Sequence, residues 1–162
     1  MFWITFYISI SNYKNQPVDG RAMGFACCID VGTPCAQVAE VSIADQQIWI
    51  YKDGKLVVTT NVVTGKHSTG EDTSPGVWYV LYKRTPYTLR GNAVGKADYA
   101  VKVDYWVPFT NSGQGFHDAG WRKDWGNNAY LTGGSGGCVN LLPNVAKTVY
   151  DSLNTYDPVI VY

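Results

Sequence analysis

A thiol, an imidazole and a tight glycine turn are the residues in this chain whose types and spacing could do covalent chemistry. His117 is one of two histidines, and Cys138 follows it 21 positions later. Directly before the cysteine runs Gly133-Gly134-Ser135-Gly136-Gly137, the densest glycine cluster of the sequence. Cysteine attacks as the thiolate, so it needs a neighbour that lowers its pKa or accepts its proton. His117 supplies such a base if adjacent strands bring the two together. Glycines let the backbone turn tightly and leave amides free to face a substrate oxygen. A lone Cys and a lone His are a weak signal, because a buried thiol and a hydrogen-bonded histidine are each common in ordinary cores.

Other uses of the glycine cluster fit worse. A phosphate loop needs Gly-Lys-Ser/Thr opening a helix, and no lysine lies between Thr132 and Pro143. A dinucleotide fingerprint sits early in a βαβ unit, whereas helix signals here are few. Ser135 as nucleophile lacks the strand-turn-helix setting of a nucleophile elbow. His67 falls in a polar loop and reads as a solvated side chain.

The elements that must position these groups follow from composition and pattern. With 162 residues, of which 6 are Trp and 12 Tyr, the chain is long enough for one cored domain rich in residues that suit pleated surfaces. Val41 and Ile43 alternate with polar neighbours. Two β-rich runs flank Asp53-Gly54, the strongest short hairpin signal, since both turn positions need positive φ. Pro75-Gly76 turns into a strand over 77–82, and a further strand zone covers 99–109. Val101, Val103 and Tyr105 are expected on one face of it by the period of two. Residues 114–117 form a short strand carrying His117, and 121–125 a single helical turn. The one appreciable helix is expected over 143–153, with Pro143 suited to its first turn. Residues 158–162 close as a strand. The expected fold is mostly β with one helix after the cysteine. Its boundary lies near Gln37: residues 1–37 form an extension of unknown structure and 38–162 the domain.

Charge and cysteine usage exclude several partners. Lys+Arg and Asp+Glu are 13 each, so no basic excess favours nucleic acid or an anionic membrane as partner. Cys27, Cys28 and Cys35 cluster without a fourth ligand or zinc-type spacing, so no metal is expected and the thiols read as structural or incidental. The opening MFWITFYISI is too short to span a bilayer, and it lacks the basic start and prompt cleavage site of a signal peptide.

Several ordered segments resemble one family. After His117 come seventeen residues and then Ser135-Gly136-Gly137-Cys138-Val139-Asn140. Upstream stand Val63-Thr64-Gly65-Lys66 and Thr73-Ser74-Pro75-Gly76-Val77-Trp78, and the chain closes with Pro158-Val159-Ile160-Val161. This set, spread over 41–162, resembles the catalytic domain of the YkuD-type L,D-transpeptidases, which cross-link bacterial peptidoglycan. The resemblance implies a YkuD-like β-sandwich or mixed β domain that needs no cofactor. It implies that Cys138 attacks the carbonyl between stem residues three and four, releases terminal D-alanine and forms a thioester for 3→3 cross-linking. It further implies His117 as base, the Asp118 carbonyl as its orienting partner, and the amides of Gly137 and Cys138 as oxyanion donors. Trp121, Ser135 and Asn140 match donor-site positions, and Tyr105 and Trp106 are aromatic candidates for that site that read equally well as core. The partners implied are donor and acceptor stem peptides, for a monomer working outside the membrane at the cell wall.

One position departs from the family: Gly136 stands where a histidine is usual, which puts an acceptor-positioning role for a second imidazole in doubt. Two alternatives remain open. An L,D-carboxypeptidase would use the same thiol with water as acceptor, and a catalytically silent wall-binding module would keep only the groove. A papain-like peptidase would place its cysteine before its histidine, the reverse of the order here.

Overall fold

The computed structural model describes residues 37–91 and 99–162. Cys27, Cys28, Cys35 and the apolar opening run lie outside the described residues. The first strand, β1 (Gln37–Ser42), is followed by β2 (Gln47–Lys52) and β3 (Lys55–Asn61). Asp53 and Gly54 link the latter pair with φ values of 51° and 72°, the two positive angles that the Asp-Gly signal requires. Next come β4 (Gly76–Tyr79), the hairpin β5 (Tyr87–Gly91) and β6 (Tyr99–Val103), then β7 (Trp106–Pro108) and β8 (Gly115–Asp118). A short helix α1 (Ala129–Gly133), β9 (Val139–Leu141), α2 (Pro143–Ser152) and β10 (Pro158–Val161) complete the domain. Mostly β with one appreciable helix after Cys138 is the fold found.

The strands form a five-stranded sheet in the order β3-β2-β1-β10-β4, a three-stranded sheet β7-β8-β9, and the β5-β6 hairpin. In the large sheet the period of two sends Ile48 and Ile50 inward and leaves Trp49 and Tyr51 half-buried. Val41, Val159 and Val161 join them from β1 and β10. Helix α2 lays Ala146 and Val149, with Leu153 just beyond its end, onto the same core.

The small sheet is covered on both faces, and every residue of β7, β8 and β9 is buried. Its register explains what each face does. Val107, Phe116 and Val139 are paired in one row and enter the core cluster. Trp106, His117 and Asn140 are paired in the next row, so they project to the opposite side. A one-residue slip would exchange the two rows, which is why burial of Phe116 also fixes where His117 points.

Two local expectations change. Residues 121–125 form no helix, and the helical turn lies later, at α1. The zone 99–109 breaks at Asp104 and Tyr105, because the carboxylate of Asp118 accepts both of their amides at 2.8 Å and ends β6 there. Tyr105 therefore leaves the face of Val101 and Val103, and its ring packs on Tyr150 of α2 at 5.3 Å.

Candidate active site

His117 is 4 % exposed and every polar atom of its ring is engaged. Nδ1 lies 2.9 Å from the carbonyl oxygen of Asp118, which can only accept, so this nitrogen carries the proton. Nε2 lies 3.0 Å from Asn140 Nδ2 and accepts from it. Two tryptophans flank the ring. Trp106 is tilted against it at 6.1 Å, and Trp121 is stacked at 5.9 Å with an interplanar angle of 24°. Burial lowers the His117 pKa below its ordinary value, and the nearby Arg122 cation acts in the same direction. The hydrogen bond to the Asp118 carbonyl opposes the shift and does not reverse it. The imidazole is neutral at pH 7, with its lone pair on Nε2.

The cysteine arrives by a turn built from the glycine cluster and two upstream segments. Ser135 N–H donates to Thr64 O at 3.0 Å, and Lys66 N–H donates to Ser135 O at 2.8 Å. Gly134 passes so close to Lys66 that a Cβ there would lie 2.5 Å from its backbone. Thr73 is fully buried between the segments: its hydroxyl accepts from Gly65 N–H at 3.0 Å and donates to Gly137 O at 2.9 Å. Gly137 has φ 110°, and a Cβ on it would stand 2.7 Å from Gln114 Nε2. Only glycine fits both constraints.

Continuing the β8-β9 register by one step sets Cys138 beside Gly115, on the same face as Asn140 and His117. Cys138 and His117 are then diagonal neighbours on that face. The space over Gly115 is taken by the Trp106 ring, which any Cβ there would meet at 2.7 Å. The half-buried thiol donates to Gly113 O at 3.6 Å, and the Gly115 backbone is also within hydrogen-bond reach. Desolvation pushes its pKa up to about 11. Among the described residues no hydrogen bond joins the thiol to the imidazole. The resting pair is thus a protonated thiol and a neutral base, each on its own partner.

Of the residues singled out from sequence, Trp106, His117, Asp118, Trp121 and Asn140 gather around the imidazole, while Ser135, Gly137 and Cys138 share the turn. Three roles differ from expectation. Asn140 is 2 % exposed and bonded to His117, so it is engaged with the imidazole and does not line an open groove. The Gly137 amide, expected as an oxyanion donor, donates to Ser135 Oγ at 3.1 Å and is engaged within its own turn. Ser135 Oγ in turn donates to Cys138 O, which occupies the hydroxyl in shaping the turn. Tyr105 lies on the core side with Tyr150, away from the site. His67 is exposed and pairs with Asp72 at 3.0 Å.

Sequence reasoning missed two side chains. Gln114 ties the turn to the 72–74 segment: it donates from Nε2 to Asp72 O at 3.3 Å and accepts from Ser74 N–H at 2.9 Å. Arg122 donates from Nε and Nη2 to Asn140 Oδ1 at 3.1 and 3.0 Å, and from Nη1 to Gly133 O at 2.7 Å. Nothing local marked either residue, since the side chain of each acts on positions 11 or more residues away.

No curated protein matches the chain. Among solved structures, it is similar to an Enterococcus faecium L,D-transpeptidase carrying a Cys-to-Ser mutation, with 35% identity and a TM-score of 0.72 over 78% of this chain and 50% of that one. The NMR structure of the catalytic domain from the E. faecium L,D-transpeptidase acylated by ertapenem gives 36% identity and a TM-score of 0.69, over 78% of this chain and 97% of that one. An L,D-transpeptidase from Stackebrandtia nassauensis gives 32% and 0.60, over 78% and 55%. The chain therefore spans about half the length of the first of these structures and nearly all of the isolated catalytic domain. The profile of the YkuD L,D-transpeptidase catalytic domain matches residues 36–161. With a neutral imidazole and a thiol on one sheet face and that match across most of its length, the chain belongs to the L,D-transpeptidase (YkuD) catalytic-domain family.

Proposed function

We propose that this domain is a peptidoglycan L,D-transpeptidase that forms 3→3 cross-links through a thioester on Cys138. The observation that carries this reading is the placement of His117 Nε2, unprotonated and held by Asn140, on the sheet face that also presents Cys138. A substrate entering over Gly136 and Gly137 draws the thiol from Gly113 O toward Nε2, where it displaces the Asn140 N–H from the single lone pair. The thiol proton passes to Nε2 as sulfur attacks the carbonyl between stem residues three and four. The tetrahedral oxyanion is held by the Cys138 amide, joined by that of Gly137 once Ser135 Oγ releases it. Collapse breaks the C–N bond, and the leaving D-alanine amine takes the proton from Nε2. The acceptor amine then attacks the thioester, its proton goes to Nε2, and the departing thiolate recovers it. A general base of this kind contributes on the order of 10²–10⁴ in rate.

A neutral starting pair suits this order of events. A thiol with a pKa of about 11 is protected from stray oxidation until a base and an electrophile meet it. Family membership supports stem peptides as donor and acceptor and a working place at the cell wall. No helix of the described residues is long and apolar enough to cross a membrane.

Incubation with a carbapenem, read by intact mass, tests the nucleophile. Wild type is expected to gain one adduct and Cys138→Ala none. An unmodified wild type, or equal labelling of Cys138→Ala, overturns the reading. With disaccharide-tetrapeptide substrates, cross-linked dimers identify the transferase, and tripeptide monomers alone identify a carboxypeptidase.

A further inference from the structure

We propose that Arg122 is a positioning residue of this site: its guanidinium fork locks the Asn140 amide so that Nδ2 faces His117 Nε2, selecting the imidazole tautomer able to receive the Cys138 proton. The inference rests on the function proposed above. An Asn side chain presents an oxygen and an NH2 group of nearly the same shape, so a half-turn about its last bond exchanges donor for acceptor at little steric cost. Which group meets His117 is therefore decided by what holds the other end. Arg122 is donor-only, and two of its N–H groups converge on Asn140 at 3.1 and 3.0 Å. Only the amide oxygen satisfies both, which leaves the NH2 group for Nε2 at 3.0 Å.

The other end of the ring closes the argument. Nδ1 faces the Asp118 carbonyl at 2.9 Å and must carry hydrogen to bond it. A flipped Asn140 would accept from Nε2–H and so favour the opposite tautomer or the imidazolium, in which Nε2 has no lone pair to offer. Arg122 is itself fixed by its third contact, to Gly133 O at 2.7 Å. That carbonyl ends α1 and opens the glycine turn that carries Cys138, so one guanidinium spans the base's support and the nucleophile's turn.

The charged and titratable groups around the ring are few. Asp118 lies on β8 itself, its carboxylate turned to the amides of Asp104 and Tyr105. Arg122 follows β8, with Asp124 beside it. Cys138 comes from the β9 side, while β7 contributes Trp106, which is not titratable. Among the described residues Arg122 is the one cation acting on the ring, and it disfavours imidazolium as the flipped amide would favour it. Both effects of the fork keep His117 a neutral base.

Nitrogen-15 NMR of the histidine ring reads this without relying on turnover. The chain has 2 histidines, so a His67→Gln background leaves His117 alone. In that background the Nδ1-protonated form is expected as the sole neutral tautomer. Arg122→Met is expected to populate the Nε2-protonated form and to raise the titration midpoint by about one pH unit. The acid limb of carbapenem acylation should move up by the same amount, with the plateau at higher pH much less changed. Arg122→Lys keeps the stem and charge but loses the fork, and guards against a folding failure. It should show the second tautomer with a smaller midpoint shift. Unchanged tautomer and midpoint in both variants overturn the proposal, as does an equal loss of acylation at every pH. Failure of the Cys138 reading looks different: no adduct forms at any pH, while the ring signals still respond to Arg122.

Discussion

The two halves of the site are built in opposite ways. The histidine half is a cage: Nδ1 and Nε2 are both bonded, two indoles cover the ring, and the strand beneath it is buried on both faces. The cysteine half is a turn, with Gly133 and Gly136 exposed and the thiol half-buried on a long contact to Gly113 O. A base needs one fixed tautomer and direction, and a caged ring provides both. A nucleophile must travel to a carbonyl and carry an acyl group, which a backbone without side chains allows. In the reaction proposed above, sulfur moves and nitrogen is held still.

The sharpest way to break that contrast is to remove the base. His117→Gln should lower carbapenem acylation by on the order of 10²–10⁴, read as the rate of adduct formation, while Cys138 remains present. A fall of less than tenfold would mean that the thiol does not depend on the cage. Next is the cage wall. Trp106 is 3 % exposed and stacks on Tyr87 at 6.0 Å, whereas Trp121 is 54 % exposed. Trp106→Ala should cost about 3–5 kcal/mol in denaturant unfolding. Trp121→Ala should stay within about 1 kcal/mol and act mainly on acylation. Similar stability losses in the two would show that the ring is not caged from one side.

On the turn, Gly137→Ala should destabilise by about 1–3 kcal/mol, since its φ of 110° and the contact with Gln114 both oppose a Cβ. Adding Gln114→Ala removes the contact and leaves the backbone strain, so only part of the loss should return. Full recovery would show that the angle costs nothing. By contrast Gly136 is open: a Cβ there meets only Glu71 Oε1, at 3.9 Å. Gly136→His should change unfolding free energy by no more than about 0.5 kcal/mol.

Stability against pH should separate the halves again. The folded His117 pKa is depressed, so the unfolded chain binds the proton more readily as pH falls below about 6.5, and stability declines there. The folded Cys138 pKa is raised from 9.0 to about 11, so that contribution is complete below 9.0 and is lost as pH rises to about 11. His117→Gln should flatten the acid side and Cys138→Ser the alkaline side. A swapped or absent effect would contradict the burial of either group.

Much of the scaffold was legible because it depends on neighbours in sequence. The Asp53-Gly54 hairpin, the strand carrying His117, the helix opening at Pro143 and the closing strand are all set by local pattern and turn chemistry. The helical turn expected over 121–125 failed because that stretch is used otherwise. Arg122 reaches to Asn140 and Gly133, and Trp125 Nε1 donates back to Arg122 O at 3.3 Å. Tyr105 was equally readable as site or core, because a period of two assigns faces only while the strand continues, and the Asp118 carboxylate stops it.

The sequence by itself determined the family and the residues proposed to carry its chemistry: a cysteine after glycines, a histidine on a strand, and ordered segments characteristic of one family. Only the tertiary structure decided how those residues are engaged. It put Asn140 under the base, closed Ser135 into its own turn and brought Arg122 and Gln114 into the site. The physical reason lies in hydrogen-bond direction. A residue's type states what it can donate or accept, but its actual partner is set by strand register and backbone approach between segments far apart in the chain.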